Sequence, residues 1–202
     1  MISISLTDFI DYVSSSGTTK QSQVAAIKRR EQYTYRVDYW RELRNSITGY
    51  HAEDGLDKAY FNAALQANFV DAEKREKYRP LLENYKKFLG RKQITSCPIV
   101  KCNWEYSKDL TIRVNPELHL VINGKEQLVK FYFKKEPLSK KKIDLAVLLM
   151  KIATQDVISG VHYTLFDLPQ NKAWTQENPN LNLLPLLKGE AESFITIYKN
   201  LP

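Results

Sequence analysis

The dipeptide Asn123-Gly124 constrains the fold of this chain more than any other feature of its sequence. It lies between two runs, 118–122 and 128–133, in which apolar residues recur at alternate positions. Asn-Gly is typical of a two-residue hairpin turn, because both positions adopt positive φ angles that these residues tolerate. The sequence therefore predicts an antiparallel hairpin whose register is fixed by the turn. A slip of one residue would exchange its two faces.

This register divides the hairpin into two faces. Leu118 is predicted to lie opposite Val129, and Phe131 and Phe133 are on the same side, so this face is expected to pack on the core. The opposite face carries Glu117 across from Lys130, His119 across from Leu128, and Tyr132 near Asn115.

The chain before Gly90 has helical periodicity. Ser5 is a candidate N-cap with Asp8 three residues later, and further helices are predicted over 20–31, 37–50, 56–69 and 71–89, with a turn at Asp54-Gly55. The last two could instead form one bent helix. Pro80 is expected to break or kink the segment 71–89, or to open a new helix there.

After Gly90 the pattern changes to strands. Strands are predicted near 99–104, 110–114 and 161–168, in addition to the hairpin. Ser139 is a candidate N-cap for a helix of about fifteen residues. Residues 169–185 are predicted to form a long loop before a last helix from about 185 to 198. This order predicts an α+β fold. It also predicts one domain over 1–202, in which residues 1–92 are mainly helical and residues 93–202 contain the sheet.

Composition excludes several classes of protein. Hydrophobic residues make up 43% and charged residues 26% of the 202, which is ordinary for a chain with a packed core. No apolar run is long enough to span a bilayer, and the first residues lack the basic start of a signal peptide. The sequence therefore predicts a cytoplasmic protein without a membrane partner.

Positive charge is concentrated in two segments. Residues 73–92 carry eight bases and three acids, and residues 130–142 carry six lysines and one acid, so each segment has a net charge of +5. The rest of the chain is slightly acidic. Concentrated positive charge favours a polyanionic partner, either a nucleic acid or an acidic protein. The alternative is a pair of solvated basic faces.

The sequence predicts no metal site and no resident cofactor. Cys97 and Cys102 are the only cysteines, and a single Cys-x4-Cys pair is a poor zinc signature. Both cysteines are expected to be reduced. The phosphate-loop, dinucleotide-binding, zinc-protease and serine-hydrolase motifs are missing from the sequence.

One region resembles a known family. The string Asn115-Pro116-Glu117-Leu118, the hairpin and the following helix, over residues 113–152, resemble the PD-(D/E)xK nuclease core. In that superfamily two acids hold Mg²⁺, and a lysine helps to position or activate water. The resemblance implies that Glu117 occupies the place of the first acid, Lys130 that of the second and Tyr132 that of the lysine. Lys130 departs from the family pattern, because an ammonium opposite Glu117 forms an ion pair and repels a divalent metal.

Three hypotheses follow from these patterns. The leading one is a non-catalytic accessory protein that binds nucleic acid or an acidic partner, in DNA transactions or defence. Its contact surface would comprise Lys130, Tyr132, Lys134, Lys135, Lys140, Lys141 and Lys142. On this surface Tyr132 could stack on a base and the lysines contact phosphates, or the same strand face could be partly covered. The alternatives are a Mg²⁺-dependent nuclease with Glu117 and Lys130 as catalytic residues, and a protein-interaction module in a larger assembly.

Overall fold

The computed structural model describes residues 1–30, 38–53, 57–67 and 72–202, and within them the predicted α+β fold is confirmed. The helices are α1 (Leu6–Ser14), α2 (Gly17–Arg29), α3 (Arg41–Ala52), α4 (Tyr60–Ala67), α5 (Ala72–Leu89), α6 (Lys140–Thr154) and α7 (Leu184–Asn200). The strands are β1 (Ile2–Ser5), β2 (Ile94–Ser96), β3 (Asn103–Tyr106), β4 (Leu110–Arg113), β5 (Leu118–Ile122), β6 (Lys125–Tyr132), β7 (His162–Asp167) and β8 (Lys172–Gln176).

The strands form two sheets. The larger has the order β2-β5-β6-β7-β8, and only its β6–β7 pair is parallel, with α6 as the connecting helix. The smaller has the order β1-β4-β3, with β1 parallel to β4. The carboxyl ends of β6 and β7 therefore lie at the same edge of the larger sheet, beside the segment that leads into α6.

The predicted hairpin register is confirmed. Leu118 pairs with Val129, and Ile122 pairs with Lys125 around the two-residue turn. Asn123 and Gly124 both have positive φ angles, of 50° and 79°, as this turn type requires.

The larger sheet is covered on both faces, whereas the sequence predicted burial only for the face with Leu118 and left open whether the face with Tyr132 is exposed or partly covered. Leu118, Val129 and Phe131 pack with α3, α4 and α5. On the other side, Leu128 and Tyr132 pack with α1, α6 and α7. A central strand next to a parallel neighbour is commonly buried on both sides, because the connecting helix covers the second face.

Two helices, α1 and α6, begin where their capping serines indicate. The Ser5 hydroxyl accepts a hydrogen bond from the N–H of Asp8, and the Ser139 hydroxyl accepts one from Lys142. α6 then runs for the predicted fifteen residues. Both N-cap predictions are confirmed.

Other predictions need correction. α5 continues through Pro80, although proline removes one backbone hydrogen bond of the helix. Residues 169–185 are not a continuous loop, because they include β8 and a 3₁₀ turn, Leu181–Leu183. β1 was not predicted, and 99–102 do not belong to a strand. The start of the predicted 37–50 helix and the Asp54-Gly55 turn lie outside the described residues.

A search of the described helices for a membrane-spanning segment finds none with the required length and apolar character.

Candidate functional site

Glu117 and Lys130, the pair suggested by the nuclease resemblance, form a shielded ion pair. The Lys130 ammonium donates to Glu117 Oε1 at 2.8 Å and to the Asn115 carbonyl at 2.9 Å. Their side chains are only 11% and 14% exposed, for Glu117 and Lys130 respectively. Asn115 has a φ of 33°, in a region that asparagine tolerates better than most residues, and this conformation accompanies its contact with Lys130.

The second oxygen of Glu117 has a structural partner as well. Oε2 accepts a hydrogen bond from the N–H of Phe131 at 2.8 Å, beyond the last register pair of β5 and β6. The carboxylate thus extends the ladder of the hairpin. Because both of its oxygens accept hydrogen bonds and the ammonium lies beside it, this pair is arranged as a structural contact.

Tyr132 is inside the protein and not on a surface. Tyr132 is only 1% exposed. Its burial is the main reason why the pKa of its hydroxyl is raised to about 12. It pairs across the parallel strands with Asp167, whose burial likewise raises the pKa of its carboxyl. In this structure neither Tyr132 nor the shielded Lys130 belongs to an exposed contact surface, which corrects two residues of the predicted set.

The other five residues of that set lie around the start of α6, and we call them the lysine cluster. They are Lys134, Lys135, Lys140, Lys141 and Lys142. Asp11 of α1 holds two of them, since one of its oxygens contacts the ammonium of Lys134 and the other lies 2.6 Å from that of Lys142. No sequence pattern pointed to Asp11, because it is more than a hundred positions away.

The carboxyl end of α1 supplies a further partner. Lys141 donates to the backbone carbonyl of Val13 at 2.9 Å, within the last turn of α1. The end of a helix carries partial negative charge, which offsets the unfavourable position of lysines at the start of α6. Lys135 and Lys140 are exposed, and no partner for their ammonium groups is found among the described residues.

The basic segment on α5 is arranged differently. Three of its bases face acids one turn away on the same helix, in the pairs Lys77–Glu73, Arg79–Glu76 and Lys86–Glu83. Lys74 contacts Glu42 of α3. These pairs leave most of the positive charge of the segment in place, because its net charge of +5 already counts the three glutamates of the helix.

A third group consists of three possible metal ligands, which the sequence analysis did not predict. Cys97, His119 and Glu126 bring a sulfur, a nitrogen and an oxygen within 4.8 Å of one another. His119 is 6% exposed and lies 2.7 Å from Glu126, measured from Nε2 to Oε1. Its other ring nitrogen lies 2.8 Å from the carbonyl of Pro98. These are ligand types that bind divalent transition metals.

The strand register explains why sequence analysis missed this group. Cys97 follows β2, which has only three residues and was not predicted. Its N–H donates to the carbonyl of His119 at 2.8 Å, continuing the β2–β5 ladder by one residue. The only sequence signal was that His119 and Glu126 fall on one face of the predicted hairpin.

No protein-family model matches this chain, and no curated protein matches it in sequence.

Proposed function

We propose that this protein binds a nucleic acid through the phosphate backbone, with the lysine cluster as the contact surface. The observation that carries the proposal is the placement of five lysines around the start of one helix. Two acids lie with them, Asp11 and the exposed Glu136, so the group keeps a net charge of +3. The first turn of α6 adds the partial positive charge of a helix N-terminus.

The contacts with α1 support binding because they hold the cluster in place. Each lysine has three N–H donors, and the contacts described above for Lys134, Lys141 and Lys142 use one donor of each. The remaining donors can contact phosphate oxygens. A long side chain that is already ordered loses less conformational entropy on binding. Lys135 and Lys140 extend the surface outward.

The nuclease hypothesis receives no support from Glu117, because both of its carboxylate oxygens already accept hydrogen bonds. We therefore propose binding through phosphate contacts and assign no catalytic residue. A PD-(D/E)xK-like ancestry of the hairpin and α6 remains compatible with this proposal, which does not depend on it.

The test is fluorescence anisotropy of labelled single-stranded DNA, double-stranded DNA and RNA across a sodium chloride series. We expect the logarithm of the binding constant to fall linearly with the logarithm of salt concentration, by about 0.9 per phosphate contact on duplex DNA. The double substitution Lys135→Ala and Lys140→Ala should weaken binding about tenfold at low salt and reduce the slope by about 2.

A matched control separates this surface from overall charge. Lys101→Ala with Lys108→Ala removes the same net charge from exposed residues near β3. The control should bind nearly as well as the parent. Equal weakening by both double variants, or no binding of the parent at low salt, would contradict the proposal. In the second case an acidic protein becomes the partner to test.

A further inference from the structure

Cys97, His119 and Glu126 come from three neighbouring strands or their ends. We propose that they form a zinc-binding site with one open coordination position. The combination of a thiolate, an imidazole and a carboxylate suits Zn²⁺, whereas Mg²⁺ and Ca²⁺ prefer oxygen ligands alone.

The imidazole ring of His119 has the orientation expected of a metal ligand. Its Nδ1 lies 2.8 Å from the Pro98 carbonyl, which can only accept a hydrogen bond, so Nδ1 carries a proton. Nε2 is then the nitrogen that faces Glu126 and Cys97. A backbone carbonyl that fixes the tautomer of a histidine is the usual support of a histidine that binds zinc.

The short distance between Nε2 of His119 and the carboxylate of Glu126 favours a cation at this position. With the proton on Nδ1, the lone pair of Nε2 points at a carboxylate oxygen only 2.7 Å away. Two acceptors at this distance repel unless a positive centre lies between or beside them. A second proton on the imidazole would satisfy this pair, but it gives no role to the sulfur of Cys97. A metal ion engages all three side chains.

The backbone holds two of the ligands in register. The hydrogen bond from Cys97 N–H to the His119 carbonyl places these residues directly opposite each other. Glu126 pairs with Val121, two residues from His119, so its side chain is on the same face as that of His119. A tetrahedral zinc ion holds its ligand atoms about 3.5 Å apart. The three atoms lie within 4.8 Å of one another, so side-chain rotations would adjust these separations and open the 2.7 Å contact between His119 and Glu126.

The site has an open side. Within the described residues the cluster contains three ligands, and Glu126 is 41% exposed. Three protein ligands with solvent access leave a fourth position for water or another small ligand, as in zinc sites that exchange a ligand.

This proposal is independent of the nucleic-acid proposal. Glu126 and Tyr132 are six residues apart on β6, about 20 Å along the strand. The lysine cluster begins beyond Tyr132, so the two sites lie toward opposite ends of the hairpin strand.

Titration of the metal-free protein with Co²⁺ in a phosphine reductant tests the site directly. We expect one equivalent of Co²⁺ to produce a thiolate-to-cobalt charge-transfer band and the intense visible bands of tetrahedral cobalt. One equivalent of Zn²⁺ should then abolish both signals, because Zn²⁺ displaces Co²⁺.

Conservative variants keep the test interpretable if removal of buried His119 prevents folding. Cys97→Ser should abolish the charge-transfer band, and Glu126→Gln should weaken Co²⁺ binding at least about tenfold. Cys102→Ala is the control for the thiolate, and Glu105→Gln, on an exposed residue of β3, is the control for the charge. Both controls should bind Co²⁺ like the parent.

A charge-transfer band that survives in Cys97→Ser would overturn the proposal, and so would its absence from the parent at saturating Co²⁺. Either result would leave His119 and Glu126 as an ion pair without a metal role.

Discussion

Residues 73–92 and 130–142 have the same net charge of +5, but the fold uses the two segments in different ways. On α5 three of the bases face glutamates one turn away on the same helix, and the net charge already counts these glutamates. At the start of α6 the lysines converge from a loop and a helix end, where one aspartate, Asp11, contacts two of them. The two segments therefore differ in how their bases are paired, along one helix on α5 and across to another helix at α6, and the net charge does not show this difference.

Within the segment 130–142, Lys130 is shielded in an ion pair, whereas the other lysines lie around the start of α6. The largest predicted effect is on stability and comes from Lys130. Lys130→Met or Glu117→Gln should lower the free energy of unfolding by about 3 kcal/mol, because each leaves a shielded partner without its counter-charge. Urea denaturation measures the loss. Variants that remain folded should bind DNA within about twofold of the parent, because Lys130 is not on the exposed surface. A stability loss below about 0.5 kcal/mol would indicate an ordinary surface pair.

Two variants with equal changes in charge compare the segments directly. The cluster variant has alanine at Lys135, Lys140, Lys141 and Lys142. The helix variant has alanine at Lys77, Arg79, Lys86 and Lys87. We expect the cluster variant to lose on the order of 100-fold in DNA affinity at low salt, and the helix variant only a few-fold. Anisotropy at fixed low salt measures both, and an equal loss would remove the distinction between the segments.

The pH dependence of stability tests how α5 is anchored. His51 of α3 lies 2.5 Å from the hydroxyl of buried Tyr85, and burial lowers the pKa of His51 to about 4 from 6.5. Between these values the unfolded chain binds the proton more readily, so the protein should lose stability as the pH falls from 6.5 to 4. We expect a loss of about 2 kcal/mol, reduced from the full shift because His51 is partly exposed.

Urea denaturation at pH 7 and pH 4.5 measures this effect. His51→Gln should remove that contribution to the pH dependence while the other titrating groups still contribute. Identical pH profiles for the parent and His51→Gln would show that the folded protein does not lower the pKa of His51.

The smallest predicted effect comes from Asp11. Asp11→Asn removes a negative charge and frees the ammonium groups of Lys134 and Lys142. We expect this gain to exceed the loss of the ordering that Asp11 provides, so DNA binding should strengthen a few-fold and its salt dependence should steepen. Loss of two partly exposed ion pairs should cost no more than about 1 kcal/mol of stability. Weaker binding by Asp11→Asn would mean that ordering of the lysines matters more than their release, and the salt series distinguishes the two results.

The sequence predicted best what depends on neighbouring residues. The Asn123-Gly124 turn fixed the pairing of Leu118 with Val129, since its conformation is set by the turn residues themselves. Ser5 and Ser139 marked the starts of two helices because a cap satisfies backbone groups only three residues away. Pro80 shows the limit of such rules, because α5 continues through it.

Predictions about side-chain exposure were less accurate than those about local structure. The face of the hairpin on which Tyr132 lies was predicted correctly. Its burial, however, depends on α1 and α6, which pack over that face of the sheet. The pattern of one strand does not reveal whether another helix covers it. The predicted stacking residue is for this reason a core residue.

What the sequence by itself determined is the α+β class, the hairpin register and the two concentrations of positive charge, because these follow from local propensity and composition. Tertiary structure decided which lysines meet Asp11, that Glu117 supports the ladder of β6, and that Cys97 comes beside His119 and Glu126. Each of these contacts joins residues from different secondary-structure elements or across a strand pair. Such contacts form only when packing of the apolar core fixes the elements relative to one another.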